Sequence, residues 1–538
     1  MNDTRADTSV LAEPRTVRVL MVTDGQASFD GADFGLSTLV GVLEEPVLPW
    51  LRVEVTTAHR ERNLPALSAE VPGFRFDEHD LSQYDQIWLF GVARGDRPSL
   101  EEVELRALAR FMDGGGGTFA TGDHEDLGVS LCGAVPRVRS MRKWHWPEPG
   151  PNGEPVAPSV DGPARHDTLS EGRDPLFQLD DQSDDVPQVV TPRMYATSDS
   201  PKWAHQAYPH PLLCGPRGPI RVLPDHPHEG ECLVPEDLGA RFDFAGYEVV
   251  EYPGGLAPEV VAWSSINARP AELDPRKGRL DARTFGAVGA YDGHRAGVGR
   301  VAVDATWHHF FNINLIGDSL SQDPVKSVGF AASESGRAVF EEIKAYYRNI
   351  AVWLARPESQ EGMWWRAVWA ARWHHRVSMD LRPGSLGSPD LAELLRVGVD
   401  VREVLAATAT RADAAQWAGR FGVGAVDAGL WEALRPNLDP WLPRSGGEQP
   451  GHLPNLVSSM LPELVLDAVL GAVVHAVAAE FPEPTEEARQ RVAGVEWPGV
   501  VGPAVARALE AVAGQVARTD EVLRSVGATL AASRGAGG

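Results

Sequence analysis

The chain is poor in cysteine, with only Cys132, Cys214 and Cys232 in 538 residues. An odd, sparse set gives neither a disulfide framework nor a paired CxxC zinc site, and a reducing cytoplasm is the expected home. Positive charge is also short: 50 Lys and Arg stand against 75 Asp and Glu, a formal charge of -25. Attraction to nucleic acid or to an anionic membrane surface is therefore not expected. Long apolar runs are missing. The most apolar late stretch, 464-LVLDAVLGAVVHAVAA-479, is shorter than the roughly 20 residues of a membrane span, carries Asp467 and His475, and reads as a buried helix. The start, MNDTRADTSVLAEPRT, has no basic n-region or apolar h-region and reads as a disordered lead-in over residues 1–15.

Several motifs are absent too. There is no G-x-S-x-G elbow and no H-E-x-x-H helix. The glycines at 114–117 make neither G-x-G-x-x-G nor a P-loop. The string 317-GDSL-320 occurs late and without a downstream DxxH, so it is set aside as a nucleophile block. No internal repeat is evident.

What remains is patterned. With 43% hydrophobic residues the chain can build a sizeable core, and its length suggests two or three domains. In the first third, apolar runs at 17–22, 52–57, 86–90 and 117–121 alternate with helical or turn-rich stretches, which predicts an α/β fold with a mostly parallel sheet flanked by helices. A crossover helix is expected from 99, opening on Ser99 and stopping at the glycines, with Val103, Leu105, Leu108 and Phe111 inward. Residues 144–219, rich in Pro, Gly, Asp and Ser, read as an insertion. Strands return at 219–224, 259–265, 284–292 and 299–307, the last two as neighbours.

After residue 333 the period becomes helical. Val339, Ile343, Tyr346, Ile350 and Trp353 recur every three or four residues, and 363-MWWRAVWAARWHH-375 carries a tryptophan stripe of the kind that fills a core or an interface. The expected organisation is an α/β domain over 16–332, a Trp-rich helical segment over 333–380, an all-α domain over 390–530 and a tail over 531–538. The helical C-terminal region is where a second copy or a protein partner would dock.

Ligands of open α/β sheets bind beyond the carboxyl ends of the strands. The expected strand ends deliver 23-TDGQASFD-30, 121-TGDHEDLG-128, 224-PDHPHEGE-231 and 304-DATWHHFFNIN-314. Each carries Asp, and three add His. The readings are Asp123, His124, Glu125, His308 and His309 for proton transfer, and His226, His228, Glu229 and Asp123 as ligands of a divalent metal such as Zn or Mn, which would acidify a bound water. Each has a plainer reading: Asp123 as a helix N-cap, the 225–231 loop as solvated, His308 or His309 as a satisfied core histidine. Asp24, with Arg142, Trp144 and His145 from 137-RVRSMRKWHW-146, would orient a small polar substrate.

The first 330 residues or so resemble the class I glutamine amidotransferase-like superfamily, above all its ThuA-like branch, at 17-VRVLMVTDG-25, 86-QIWLFG-91 and 117-GTFATGDHE-125. The resemblance implies a flavodoxin-like sheet and a site at the elbow after residue 121. Where that superfamily has its elbow cysteine, this chain has Asp123 or His124; the family's later histidine is matched by 303-VDATWHH-309. ThuA-like proteins also lack the cysteine and look carbohydrate-related. The expectation is a metal-assisted hydrolase of a small polar substrate; the alternative is a degenerate, non-catalytic ligand-binding or scaffold module in a larger complex.

Overall fold

The computed structural model describes residues 11–62, 68–93, 100–123, 127–142, 188–196, 207–224, 231–266, 283–318, 320, 327–381, 389–408, 411–439, 441 and 455–535. Its centre is a nine-stranded sheet. The strands are β1 (Arg15–Thr23), β2 (Leu51–His59), β3 (Val71–Pro72), β4 (Gln86–Phe90), β5 (Gly117–Thr121), β6 (Thr191–Pro192), β7 (Glu259–Ile266), β8 (Arg283–Tyr291) and β9 (Val301–Asp304). Their order is β3-β2-β1-β4-β5-β9-β8-β7-β6. Pairing is parallel from β3 through β9 and antiparallel from β9 outward.

The central parallel strands β4, β5 and β9 are buried along their whole length because both faces are covered, whereas Arg18 of β1 and Arg52 and Glu54 of β2 are exposed. Along β1, Val19 and Met21 enter one hydrophobic core while Leu20 and Val22 enter the other. That is the two-residue period of a strand read on both sides. The first core is closed by α1 (Ser37–Glu44) and α3 (Glu334–Leu354), the second by α2 (Glu102–Asp113) and the short helices Val129–Cys132 and Val138–Met141.

Two expected elements differ. Helix α2 begins at Glu102, not 99, because Glu101 caps it: Glu101 and Glu104 form a reciprocal capping box. Ser99 lies outside the described residues. The strand expected over 219–224 is not part of the main sheet. Gly218–Pro219 and Val222–Leu223 are two-residue ladders with Cys214–Gly215 and Gln188–Val189. Pro219 and Pro224 bracket that run and lack an amide to donate, which removes it from a central position.

The helical region shares the first core. Helix α4 (Pro357–Trp373) buries Trp364, Trp365 and Trp369, and Trp417 meets both Trp50 and Trp364 edge to face. The tryptophan stripe is therefore core. Helices α5 (Leu391–Thr408), α6 (Asn455–Glu480) and α7 (Trp497–Gly535) extend the same packing through Val397, Val473 and Val505. The apolar 464–479 stretch lies inside α6, where the Arg402 guanidinium holds the buried Asp467 at 2.8 Å. By length and composition only, α7 is long and apolar enough to cross a membrane over Trp497–Thr529. One face of its first half, Val501, Val505, Ala508 and Val512, is buried in this core.

Candidate active site

Register lines up the carboxyl ends of the central strands. Thr23 pairs with Phe90, Phe90 with Thr121, and Thr121 with Asp304, so the chain leaves β1, β4, β5 and β9 on one level. The turns are then tied together. Asp24 Oδ1 accepts the Val92 and Ala93 amides at 2.6 and 2.8 Å, joining the end of β1 to the end of β4. The loop after β5 closes on itself through Asp123 N to Leu127 O, 3.1 Å, and Gly128 N donates to Ala93 O, 2.9 Å. Gly128 sits at φ +88°, and a Cβ there would lie 2.6 Å from Gly91 O. The loops after β4 and β5 meet backbone to backbone only because both positions are glycine.

Beyond β9 the chain makes a single turn, Trp307–His309, capped by Thr306, whose Oγ1 accepts from His308 N at 3.1 Å. Thr306 joins two acid groups. Its amide donates to Asp304 Oδ1 at 3.2 Å and its hydroxyl to Asp123 Oδ1 at 2.9 Å. Each carboxylate also faces an imidazole. Asp123 Oδ2 is 3.4 Å from His308 Nε2, and Asp304 Oδ1 is 2.8 Å from His309 Nδ1. All four residues are about 1% exposed or less.

The two pairs are built differently. His308 has oxygen at both ends, with Asn314 Oδ1 3.2 Å from Nδ1, and its ring lies against Trp307 with centroids 4.0 Å apart. His309 is held from one end only. Asp304 takes Nδ1 with one oxygen while its other oxygen accepts the Tyr346 hydroxyl of α3 at 2.7 Å. Burial, and then the Asp304 carboxylate, push the Tyr346 phenol well up, so it stays a donor. The Tyr347 hydroxyl donates to His309 O. Nε2 of His309 is buried and has no hydrogen-bond partner among the described residues. A carboxylate on Nδ1 sets the tautomer that leaves a lone pair on Nε2.

Arg142 lies beneath this network, wholly buried. Its Nη2 donates to Asp123 O at 2.8 Å and Ala305 O at 2.7 Å, clamping the ends of β5 and β9. Burial lowers its pKa, opposed by Cys232, Asp123, Cys132 and Asp304. The neighbouring arginines are also internal: Arg137 pairs with Asp113, and the Arg139 guanidinium lies 4.2 Å from the Phe242 ring centroid. Cys132 sits under β5 as a neutral thiol directed at Thr121 O, 3.5 Å away, and burial, then Asp24, push it far above the ordinary range.

Asp24, Asp123, His308 and His309 are thus brought to one edge of the sheet, with Arg142 below. His124, Glu125, Lys143, Trp144, His145, His226, His228 and Glu229 lie outside the described residues. Among the described residues no group of three or more His, Cys, Asp or Glu is placed to hold a metal ion. Asp123 and His308 supply two donors, one fewer than a catalytic zinc takes from protein. Asp304, Thr306, Asn314 and Tyr346 were not singled out from the sequence. Three lie in the 304–314 stretch, where an acid closing a Val-Ala-Val strand was the available signal. Tyr346 occupies an apolar helix position and gives no signal of its hydroxyl's role. In comparison with known proteins, the chain matches no protein-family model and no curated protein.

Proposed function

We propose that this chain is a hydrolase acting on a small polar substrate in the crevice at the carboxyl ends of β1, β4, β5 and β9, with His309 as general base. The observation that carries the reading is the buried Nε2 of His309, without a hydrogen-bond partner among the described residues, on a ring backed by Asp304 and Tyr346. In the reaction, Nε2 takes a proton from water as its oxygen bonds to the electrophilic carbon. Asp304 offsets the charge gained by the ring, and the proton passes to the leaving group. Asp123, through Thr306 and His308, holds the adjoining turn.

A metal would find the Asp123 carboxylate and the His308 imidazole here. The resemblance to amidotransferase-like and ThuA-like proteins, with a flavodoxin-like sheet, belongs to this proposal. It is supported by the order β2-β1-β4-β5-β9, which reads 2-1-3-4-5 once the two-residue edge strand β3 is set aside; with β3 included the parallel order is 3-2-1-4-5-6. A thiolate mechanism is not part of it, since the Cys132 thiol is buried and neutral.

The test is turnover of ester, amide and glycoside panels by the full chain and by His309→Gln, with metal content measured on protein purified without added metal. Equal turnover by the two proteins would overturn the assignment. Three or more donors around a tightly bound metal would move the chemistry to Asp123 and the 225–229 segment. A second reading, a non-catalytic module in a complex, is favoured by α7, where Val522, Leu523 and Val526 are 60%, 49% and 49% exposed. A stable heteromeric complex with no turnover on any panel would select it.

A further inference from the structure

His308 and His309 are closed off from solvent, so a substrate reaches them only after something moves. The segment packed on either side of their turn, against Trp307, Phe311 and Asn312, is Ser28–Leu36, a compact loop whose ends meet: Ser28 N donates to Phe34 O at 3.0 Å and Leu36 N to Ser28 O at 2.9 Å. Asp30 stiffens its tip, accepting from Ser28 Oγ at 2.7 Å and Ala32 N at 2.9 Å. This is the build of an Ω-loop that moves as a unit. Phe34, 39% exposed, stands edge-on to Trp307 with centroids 5.8 Å apart, and Trp307 in turn covers the His308 ring.

One side chain fastens the loop to the segment that carries the histidines. Asn312 Nδ2 donates to Asp30 O at 3.0 Å, Ala32 O at 2.8 Å and Ser37 Oγ at 3.1 Å, and Oδ1 accepts from Thr38 N at 3.0 Å. The Asn312 and Ile313 amides add bonds to Gly35 O and Asp33 O, both 2.9 Å. A Cβ on Gly35 would lie 2.7 Å from Asn312 Nδ2, so glycine is what lets the latch seat. We infer that the tip of this loop, residues 30–35, is a lid over the acid–imidazole network, and that Asn312 is its latch. Phe29 and Leu36, both buried in the core, anchor the two ends while the tip swings. Such gating admits substrate and then excludes water.

The inference rests on the proposed function only in calling the network the reacting site. Its test reads access, not turnover. Carbethoxylation of His308 and His309 by diethylpyrocarbonate, mapped by peptide mass spectrometry, is compared with the exposed His375. Hydrogen exchange of amides 28–36 is followed alongside, with Leu391–Thr408 as control. In the native protein both site histidines should react at least about tenfold more slowly than His375; losing the Asn312 side-chain bonds in Asn312→Ala should speed them by about tenfold or more. Loop exchange should rise with them and the control should not. Native histidines as reactive as His375, or no acceleration in Asn312→Ala, would overturn the lid. If Asn312→Ala loosens the control helix too, Phe34→Ala decides: faster modification of His308 supports the lid and an unchanged rate overturns it. A lid with no turnover on any substrate would sink the hydrolase and leave this inference standing.

Discussion

The two edges of one sheet bury charge in opposite ways. At the amino edge, Arg300 is 4% exposed, its Nε 2.7 Å from Asp292 Oδ1 and its Nη1 on the Trp353 carbonyl at 2.9 Å. Burial pushes the Asp292 carboxyl up, but Arg300, with His294, outweighs it and leaves that carboxyl far below its usual range. At the carboxyl edge the acids Asp123 and Asp304 face imidazoles instead. A guanidinium is a permanent charge, whereas an imidazole is the side chain that exchanges a proton near neutral pH. One edge holds permanent charges, and the other, on the proposed reading, would move a proton. Strand polarity separates them: crossover connections reach the amino edge, and loops collect at the carboxyl edge.

The comparison breaks first if the carboxyl edge is inert. His309→Gln and Asp304→Asn are each expected to cost about 10²–10⁴ in kcat on any substrate the chain turns over, with the fold retained by circular dichroism. At the amino edge Arg300→Ala should act on stability alone. It leaves the partly exposed Asp292 without its guanidinium partner, a loss of about 1.5–3 kcal/mol in urea unfolding, with kcat of the folded fraction unchanged.

Tyr346→Phe tests whether the two edges are coupled through α3. Removing a hydrogen bond to a charged group costs about 1.5–3 kcal/mol, and the pH profile of kcat should shift because Asp304 loses the donor opposite His309. An unchanged profile would make Tyr346 a packing residue only. The smallest effect concerns His210, beside Trp353 at the amino edge, with ring centroids 5.0 Å apart. Burial, then Arg300, lowers its pKa to about 3, against about 6.5 unfolded. The unfolded chain binds the proton that the folded chain refuses, so this contribution is intact above about pH 6.5 and falls by about 1.4 kcal/mol per pH unit below it. His210→Asn should flatten the acid limb of a stability curve by that slope.

The strands of the first third were legible because a parallel sheet covered on both faces writes itself as unbroken apolar runs; the expected 86–90 and 117–121 coincide with β4 and β5. The stretch 219–224 was misread for the same reason. Ile220, Val222 and Leu223 look like a strand, and the flanking Pro219 and Pro224, which have no amide to donate, leave only two-residue ladders. Of the site, the strand-end rule located Asp24, Asp123, His308 and His309. It says nothing about which histidine is held at one end and which at both. Arg142 reads as a substrate-orienting cation in a basic run, yet its guanidinium is buried and clamps the ends of β5 and β9, because helix Val138–Met141 turns that run inward.

By itself the sequence determined the α/β alternation, the buried tryptophan helix, and the collection of acid and imidazole at strand ends. Each follows from periodicity and local chemistry, which act within a few residues. Tertiary structure alone decided that Thr306 bridges two carboxylates, that Tyr346 reaches Asp304 across 42 positions, and that Asn312 fastens a loop some 280 residues earlier in the chain. Hydrogen bonds form over about 3 Å, and contacts at that range between distant segments exist only once register and packing have set the strands side by side.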